Sequence, residues 1–239
     1  MHGVLFDLDG TLLDIDLEGF LGRYFKALSA VLAPLVDSPE NEQRAMRAVM
    51  ESTNAMMRPH PGITNHDVFH DEYRRLTGLD LREHWQLFEE FYENDFPLLG
   101  DGYGPRDGAR LVLETARNCG LKVAIATNPI FPLRAVEHRL AWAGLDGSLA
   151  DVVTSYESMH ACKPHPDYFR ETAAQLGLDP RDCLMVGDDP VLDLAAADVG
   201  MSTFHVGDAK DVHADYCGTL REAADLIERV CATDGGVSL

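Results

Sequence analysis

Short apolar runs that stop at polar residues recur along the chain, with stretches of helical period between them. Val4-Leu5-Phe6 stops at Asp7, with Gly10 close behind, which predicts a buried strand running into a turn. The same form returns at Val123 to Ala126, Val152-Val153, Cys183 to Val186 and Thr203 to Val206. Between these runs, Arg106 to Asn118 carries its apolar residues on one face and ends before Gly120, a natural C-terminal stop. Leu133 to Ala143 ends before Gly144, Tyr168 to Leu176 before Gly177, and Asp193 to Val199 before Gly200; Leu220 to Cys231 comes last. Strands alternating with helices predict βαβ units, and hence an α/β fold with a doubly wound, mainly parallel sheet.

Residues 15 to 98 interrupt the alternation. They read as consecutive helices, Leu17 to Leu35, Pro39 to Met57, His66 to Leu76 and Leu81 to Tyr92, separated by turn formers such as Pro59, Pro61-Gly62 and Thr77-Gly78. The expected organisation is a core made of residues 1–14 and 99–239, with an all-helical lid of residues 15–98 inserted after the first strand. Gly100 to Pro105 would be the return linker, and Thr233 to Leu239 is small and polar enough to fray.

Composition adds exclusions more than assignments. A formal charge of −20 argues against a nucleic-acid partner, because a phosphate backbone is neutralised by Lys and Arg. Five scattered cysteines, with no close pair, fit reduced thiols better than a disulfide framework. No signal peptide and no membrane-length apolar run is visible, so a cytoplasmic protein without a membrane partner, monomeric or homodimeric, is expected.

Candidate chemistry collects at the strand ends, where ligands bind in open parallel sheets. Asp7-Leu8-Asp9-Gly10-Thr11 follows the first run, and Gly187-Asp188-Asp189-Pro190-Val191-Leu192-Asp193 follows the fourth. Asp7, Asp9, Asp188 and Asp193 cannot gather as anions unaided, since two unit charges ~4 Å apart repel by ~4 kcal/mol at a surface-like dielectric. Either they lie apart or a cation holds them, and hard oxygen ligands select Mg²⁺. Thr127-Asn128 offers neutral donors after the second run, and Lys163-Pro164 a fixed cation after the third. Each group alone reads equally well as a turn, a helix cap or a solvated side chain. Their order, each beyond a separate strand, makes the set specific.

The set resembles the four motifs of the haloacid-dehalogenase-like (HAD) hydrolases. Asp7-x-Asp9-Gly10-Thr11 is similar to the first, Thr127 to the second, Lys163 in Lys163-Pro164-His165-Pro166 to the third, and Gly187-Asp188 with Asp193 to the fourth. The resemblance implies a Rossmann-like core and a helical cap of the family's first cap class. It implies a Mg²⁺-dependent phosphatase acting on a small phosphate ester. Asp7 would be the nucleophile and Asp9 the acid–base. Asp7, Asp9 (by its backbone carbonyl) and Asp188 would hold the metal. Asp193 would act from behind, on the metal's water shell or on Lys163. Thr11, Thr127, Asn128 and Lys163 would surround the substrate phosphate. Members that cleave carbon–halogen bonds lack the counterpart of Asp9. Phosphonate-cleaving members use a cap lysine, and the only lysine in the lid here, Lys26, has no supporting motif. Sugar phosphomutases usually carry Val or Ile at the place of Thr11. A mutase, or an idle regulatory protein that kept the fold, are the alternatives. In the lid, His66 and His70 share a helical face at i, i+4 but lack the further ligands of a zinc site.

Overall fold

A computed structural model describes residues 1–208 and 212–234; of the end expected to fray, 233–239, Thr233 and Asp234 continue the last helix and 235–239 lie outside the described residues. Six strands form one parallel sheet: β1 (Gly3–Phe6), β4 (Lys122–Ile125), β5 (Val152–Val153), β6 (Cys183–Gly187), β7 (Ser202–Val206) and β8 (Tyr216–Gly218). Their order is β5-β4-β1-β6-β7-β8, so the chain leaves β1 towards one side of the sheet and later returns on the other. That reversal opens a crevice at the carboxyl ends of β1, β4 and β6, where a doubly wound sheet binds ligands.

The register explains why β1 is wholly apolar. Val4 and Phe6 face one core cluster, which is completed by α5 (Ala109–Asn118), α6 (Leu133–Trp142) and α8 (Leu220–Asp234). Leu5 faces the opposite cluster, with Tyr168 and Phe169 of α7 (Pro166–Gln175). A strand covered on both faces needs an unbroken apolar run.

A second, two-stranded element pairs β2 (Leu13–Asp14) antiparallel with β3 (Gly104–Pro105). The regular elements between them are helical: α1 (Leu17–Leu32), α2 (Pro39–Met56), α3 (Asn65–Thr77) and α4 (Trp85–Glu90), with 3-10 turns after α1 and before α4, a loop over 57–64 between α2 and α3, and a π-helical turn over Phe91–Asp95 after α4. Side chains cap these helices as the sequence requires: Asp16 accepts from Gly19 N, Ser38 from Asn41 N and Thr64 from Asp67 N. The insert has its own core of Phe20, Leu32, Tyr73, Phe91 and Phe96, and Phe131 and Ala135 of the sheet-bearing part join it. The start of α3 is tied down further. Asn65 N donates to Met159 O and His66 N to Tyr156 O, both at 2.8 Å, while the buried Asn65 amide donates to Pro129 O at 3.0 Å.

Three differences from the sequence reading follow from local physics. Residues 100–105 are not merely a linker, since Gly104–Pro105 pairs with the chain leaving β1. Leu194–Val199 winds as a 3-10 helix. The fourth lid helix breaks into 3-10, α and π turns.

His70 on α3 is buried, and burial pushes its imidazole down to about 4, with His66 and Arg82 adding to the shift and Asp80 and Asp67 opposing it. The unfolded chain takes up this proton near pH 6.5 but the folded protein only near 4, so stability falls as pH drops between those values. A loss of about 2 kcal/mol between pH 7 and pH 5 is expected from this residue. Urea titration should show that loss, and His70→Phe should remove it; an unchanged pH slope in the variant would refute the assignment.

Candidate active site

Hydrogen bonds of the sheet fix the first acidic group. Asp7 N donates to Val186 O at 2.9 Å, so the side chain emerges between β1 and β6 just beyond the last paired residue. The chain then turns sharply. Gly10 has a φ of 85°, and a Cβ there would collide with the Asp188 carboxylate, so only glycine lets the two acidic loops approach. Gly187 is similar: any side chain would strike Asp193.

Asp7, Asp9, Thr127, Asn128, Lys163, Asp188 and Asp193 all line one cleft of about 260 Å³. Lys163, 1 % exposed, bridges two acids: Nζ donates to Asp7 Oδ1 at 2.7 Å and to Asp193 Oδ1 at 2.6 Å. Asp193 Oδ2 accepts from Asp189 N at 3.0 Å, which folds its loop back over the site. The Thr127 carbonyl accepts from Thr154 Oγ1 at 2.7 Å and from Tyr168 Oη at 2.9 Å, and Asn128 Oδ1 accepts from Lys163 N at 3.1 Å. The loops after β4 and β5 are therefore locked to each other.

Thr11 lies elsewhere than the sequence suggested. It has no exposed surface, and its hydroxyl donates to Asp188 Oδ1 at 2.8 Å. It orients an acidic side chain and does not line the cleft.

One residue was missed altogether. Arg139 of α6, 1 % exposed, forms an ion pair through Nη1 with Asp9 Oδ2, and its guanidinium lies 4.6 Å over the Phe131 ring. Neither Arg139 Nη2 nor Asp9 Oδ1 has a protein partner. The sequence did hold a signal. Ala135, Val136 and Leu140 form the buried stripe of α6, continued by its C-cap Ala143, and Arg139 sits within it, where a solvated arginine has no place.

The electrostatics follow from this crowding. Burial pushes the Asp9 carboxyl up, Arg139 pulls against it, and Asp7 adds to the rise. Burial likewise raises Asp188, with the Thr11 hydrogen bond opposing and the charge of Asp7 reinforcing. Burial raises Asp193 as well, against the pull of Lys163. Burial alone would lower Lys163, but Asp193 and Asp7 outweigh it and hold the ammonium above its ordinary value.

Carboxylate oxygens of Asp7, Asp188 and Asp193 lie within 4.8 Å of one another, while Lys163 and Arg139 are the only Lys or Arg among the described residues lining this cleft. Five carboxylates, those of Asp7, Asp9, Asp188, Asp189 and Asp193, against two cations leave the cleft negative. A hard dication suits both the charge deficit and the all-oxygen donor set. No helix among the described residues is long and apolar enough to cross a membrane.

Residues 1–199 match the family model of the haloacid dehalogenase-like hydrolases. The chain is similar to a phosphoglycolate phosphatase of Xylella fastidiosa, 30 % identical over 81 % of this chain and 74 % of that one. An N-acetylmuramic acid 6-phosphate phosphatase of Pseudomonas aeruginosa is 28 % identical over 79 % of this chain and 74 % of its own. Among solved structures, the HAD phosphatase from Thermococcus onnurineus superimposes with a TM-score of 0.59 at 26 % identity, covering 95 % of this chain and 98 % of that one.

Proposed function

We propose, from the premise that this chain belongs to the haloacid dehalogenase-like hydrolases, that it hydrolyses a small phosphate monoester in two steps through Asp7. The observation that carries this reading is the convergence of Asp7, Asp188 and Asp193 with Lys163 at the ends of β1 and β6. With Oδ1 of Asp7 held by Lys163, its second oxygen attacks phosphorus, and the leaving oxygen takes a proton from Asp9. The same carboxylate then withdraws a proton from the water that cleaves the aspartyl-phosphate, freeing Asp7. Asp9 Oδ1, buried and without a protein partner, is the oxygen suited to this shuttle, while Arg139 holds Oδ2. Proton transfer by a positioned group contributes about 10²–10⁴-fold. Lys163 and the donors of Thr127 and Asn128 receive the phosphoryl oxygens as charge spreads over them.

Mg²⁺ held by Asp7, Asp188 and the backbone carbonyl of Asp9 would screen nucleophile from phosphate and polarise the phosphoryl oxygens. The insert of residues 15–98 acts as the cap that excludes bulk water.

A screen of small phosphate esters with Mg²⁺, read as released inorganic phosphate, tests the reading; inactivity towards all of them would reject it. Conversion of a hexose 1-phosphate to an isomeric sugar phosphate without phosphate release would favour a mutase. EDTA should lower turnover at least about a hundredfold, and excess Mg²⁺ should restore it. Added Mg²⁺ should also raise the melting temperature of the phosphate-free protein, because a ligand that binds only the folded state stabilises it. Full activity after exhaustive chelation would remove the metal from the account.

A further inference from the structure

Behind the cleft, the helical insert encloses a second space of about 70 Å³. Leu21, Ile130 and Phe131 line both, so the two spaces adjoin at these three side chains. The chamber wall is largely aromatic and aliphatic, supplied by all four helices of the insert with Leu81 and Tyr92 of its irregular turns, and by residues 130–132 and Tyr156 of the sheet-bearing part. Three of its polar side chains are satisfied within the protein. The Thr53 hydroxyl donates to Val49 O at 3.0 Å, and the Tyr24 and Tyr92 hydroxyls share a hydrogen bond of 3.0 Å.

Among the described residues of the wall, only His70 has fully buried side-chain polar atoms without a partner. It is 2 % exposed, its ring lies 4.4 Å from that of His66, and neither of its nitrogens has a hydrogen-bond partner. A buried imidazole left unpaired carries a desolvation cost that a polar group on a bound molecule would remove. Neutral at pH 7, it offers one donor and one acceptor. Charge narrows the occupant further. No Lys or Arg among the described residues lines the chamber, and Lys163 and Arg139, which line the cleft, are already paired with Asp7, Asp193 and Asp9. A second anionic group would find no counter-charge here.

We infer that this chamber receives the leaving group of the substrate, an uncharged compact ring or branched carbon skeleton carrying one hydrogen-bonding group that pairs with His70. The inference rests on the phosphatase reading and adds to it the class of alcohol released.

Initial rates of phosphate release by the full chain with Mg²⁺ test it, using acetyl phosphate, phenyl phosphate and 3-carboxyphenyl phosphate. Phenyl phosphate should exceed its carboxylated counterpart at least tenfold in kcat/KM, since the two differ mainly in charge. Val49→Phe, which fills the chamber from α2, should lower the ratio of phenyl to acetyl phosphate kcat/KM at least tenfold. Equal rates for the two aryl esters in the wild-type protein would overturn the inference, whether or not the variant folds. So would an unchanged ratio in a folded Val49→Phe protein. Loss of acetyl phosphate hydrolysis as well, in the wild-type protein, would instead sink the phosphatase reading beneath it.

Discussion

Asp7→Asn protein should lose turnover by about 10³-fold or more while keeping its fold, because an amide oxygen is a poor nucleophile and the neighbouring carboxylates of Asp9, Asp188 and Asp193 are held by Arg139, Thr11 and Lys163. The same change should leave the metal-free protein as stable as the wild type or more so. Asp7 is a repelling neighbour of Asp9, Asp188 and Asp193, and each of those carboxyls is pushed up in part by its charge. Removing that charge relieves three repulsions and costs Lys163 one of its two partners, with Asp193 remaining at 2.6 Å. Phosphate release and a thermal melt of one preparation, without added metal in the melt, measure both effects. Normal turnover in the Asp7→Asn variant would eliminate the nucleophile; a melting temperature far below that of the wild type would contradict the electrostatic picture.

The second large effect belongs to Arg139. Arg139→Met should destabilise the protein by about 3 kcal/mol or more, because it leaves the carboxylate of Asp9 buried and unpaired. Asp9→Asn in the same chain should restore much of that loss, since an amide tolerates the site without a counter-charge. The double-mutant cycle isolates the ion pair from the packing of the guanidinium on Phe131. Chemical denaturation of the four proteins provides the measurement. Additive single effects would show that the pair is energetically idle. Turnover should fall in Arg139→Met even at a temperature where it is fully folded, because Asp9 loses the contact that fixes its Oδ2.

What the sequence made legible was the set of groups that punctuation marks. Asp7, Thr127 and Asp188 each end a short apolar run at the edge of the sheet, and Gly10 and Gly187 mark where backbone must pass close to a carboxylate. Apolar period and glycine stops likewise located the strands and helices of the core to within a few residues. The omissions share a cause: each depends on a partner distant in sequence. β8, over Tyr216–Gly218, has no apolar run of its own and exists by pairing with β7. The ribbon of β2 and β3 is two residues deep and carries no alternation. Arg139 meets a carboxylate 130 positions away, so spacing alone could not pair them. Thr11 was expected at the phosphate because it follows the acidic pair, yet its hydroxyl finds Asp188 across the crevice.

The anchoring of α3 has a consequence for how product departs. Asn65 reaches the carbonyl of Pro129, adjacent to Asn128, and that of Ala161, two residues before Lys163. Lifting this helix away would therefore tug on both loops proposed to grip the phosphate. Unlatching the roof and slackening the grip become a single mechanical event, so the rate of reopening would also set the rate at which inorganic phosphate escapes.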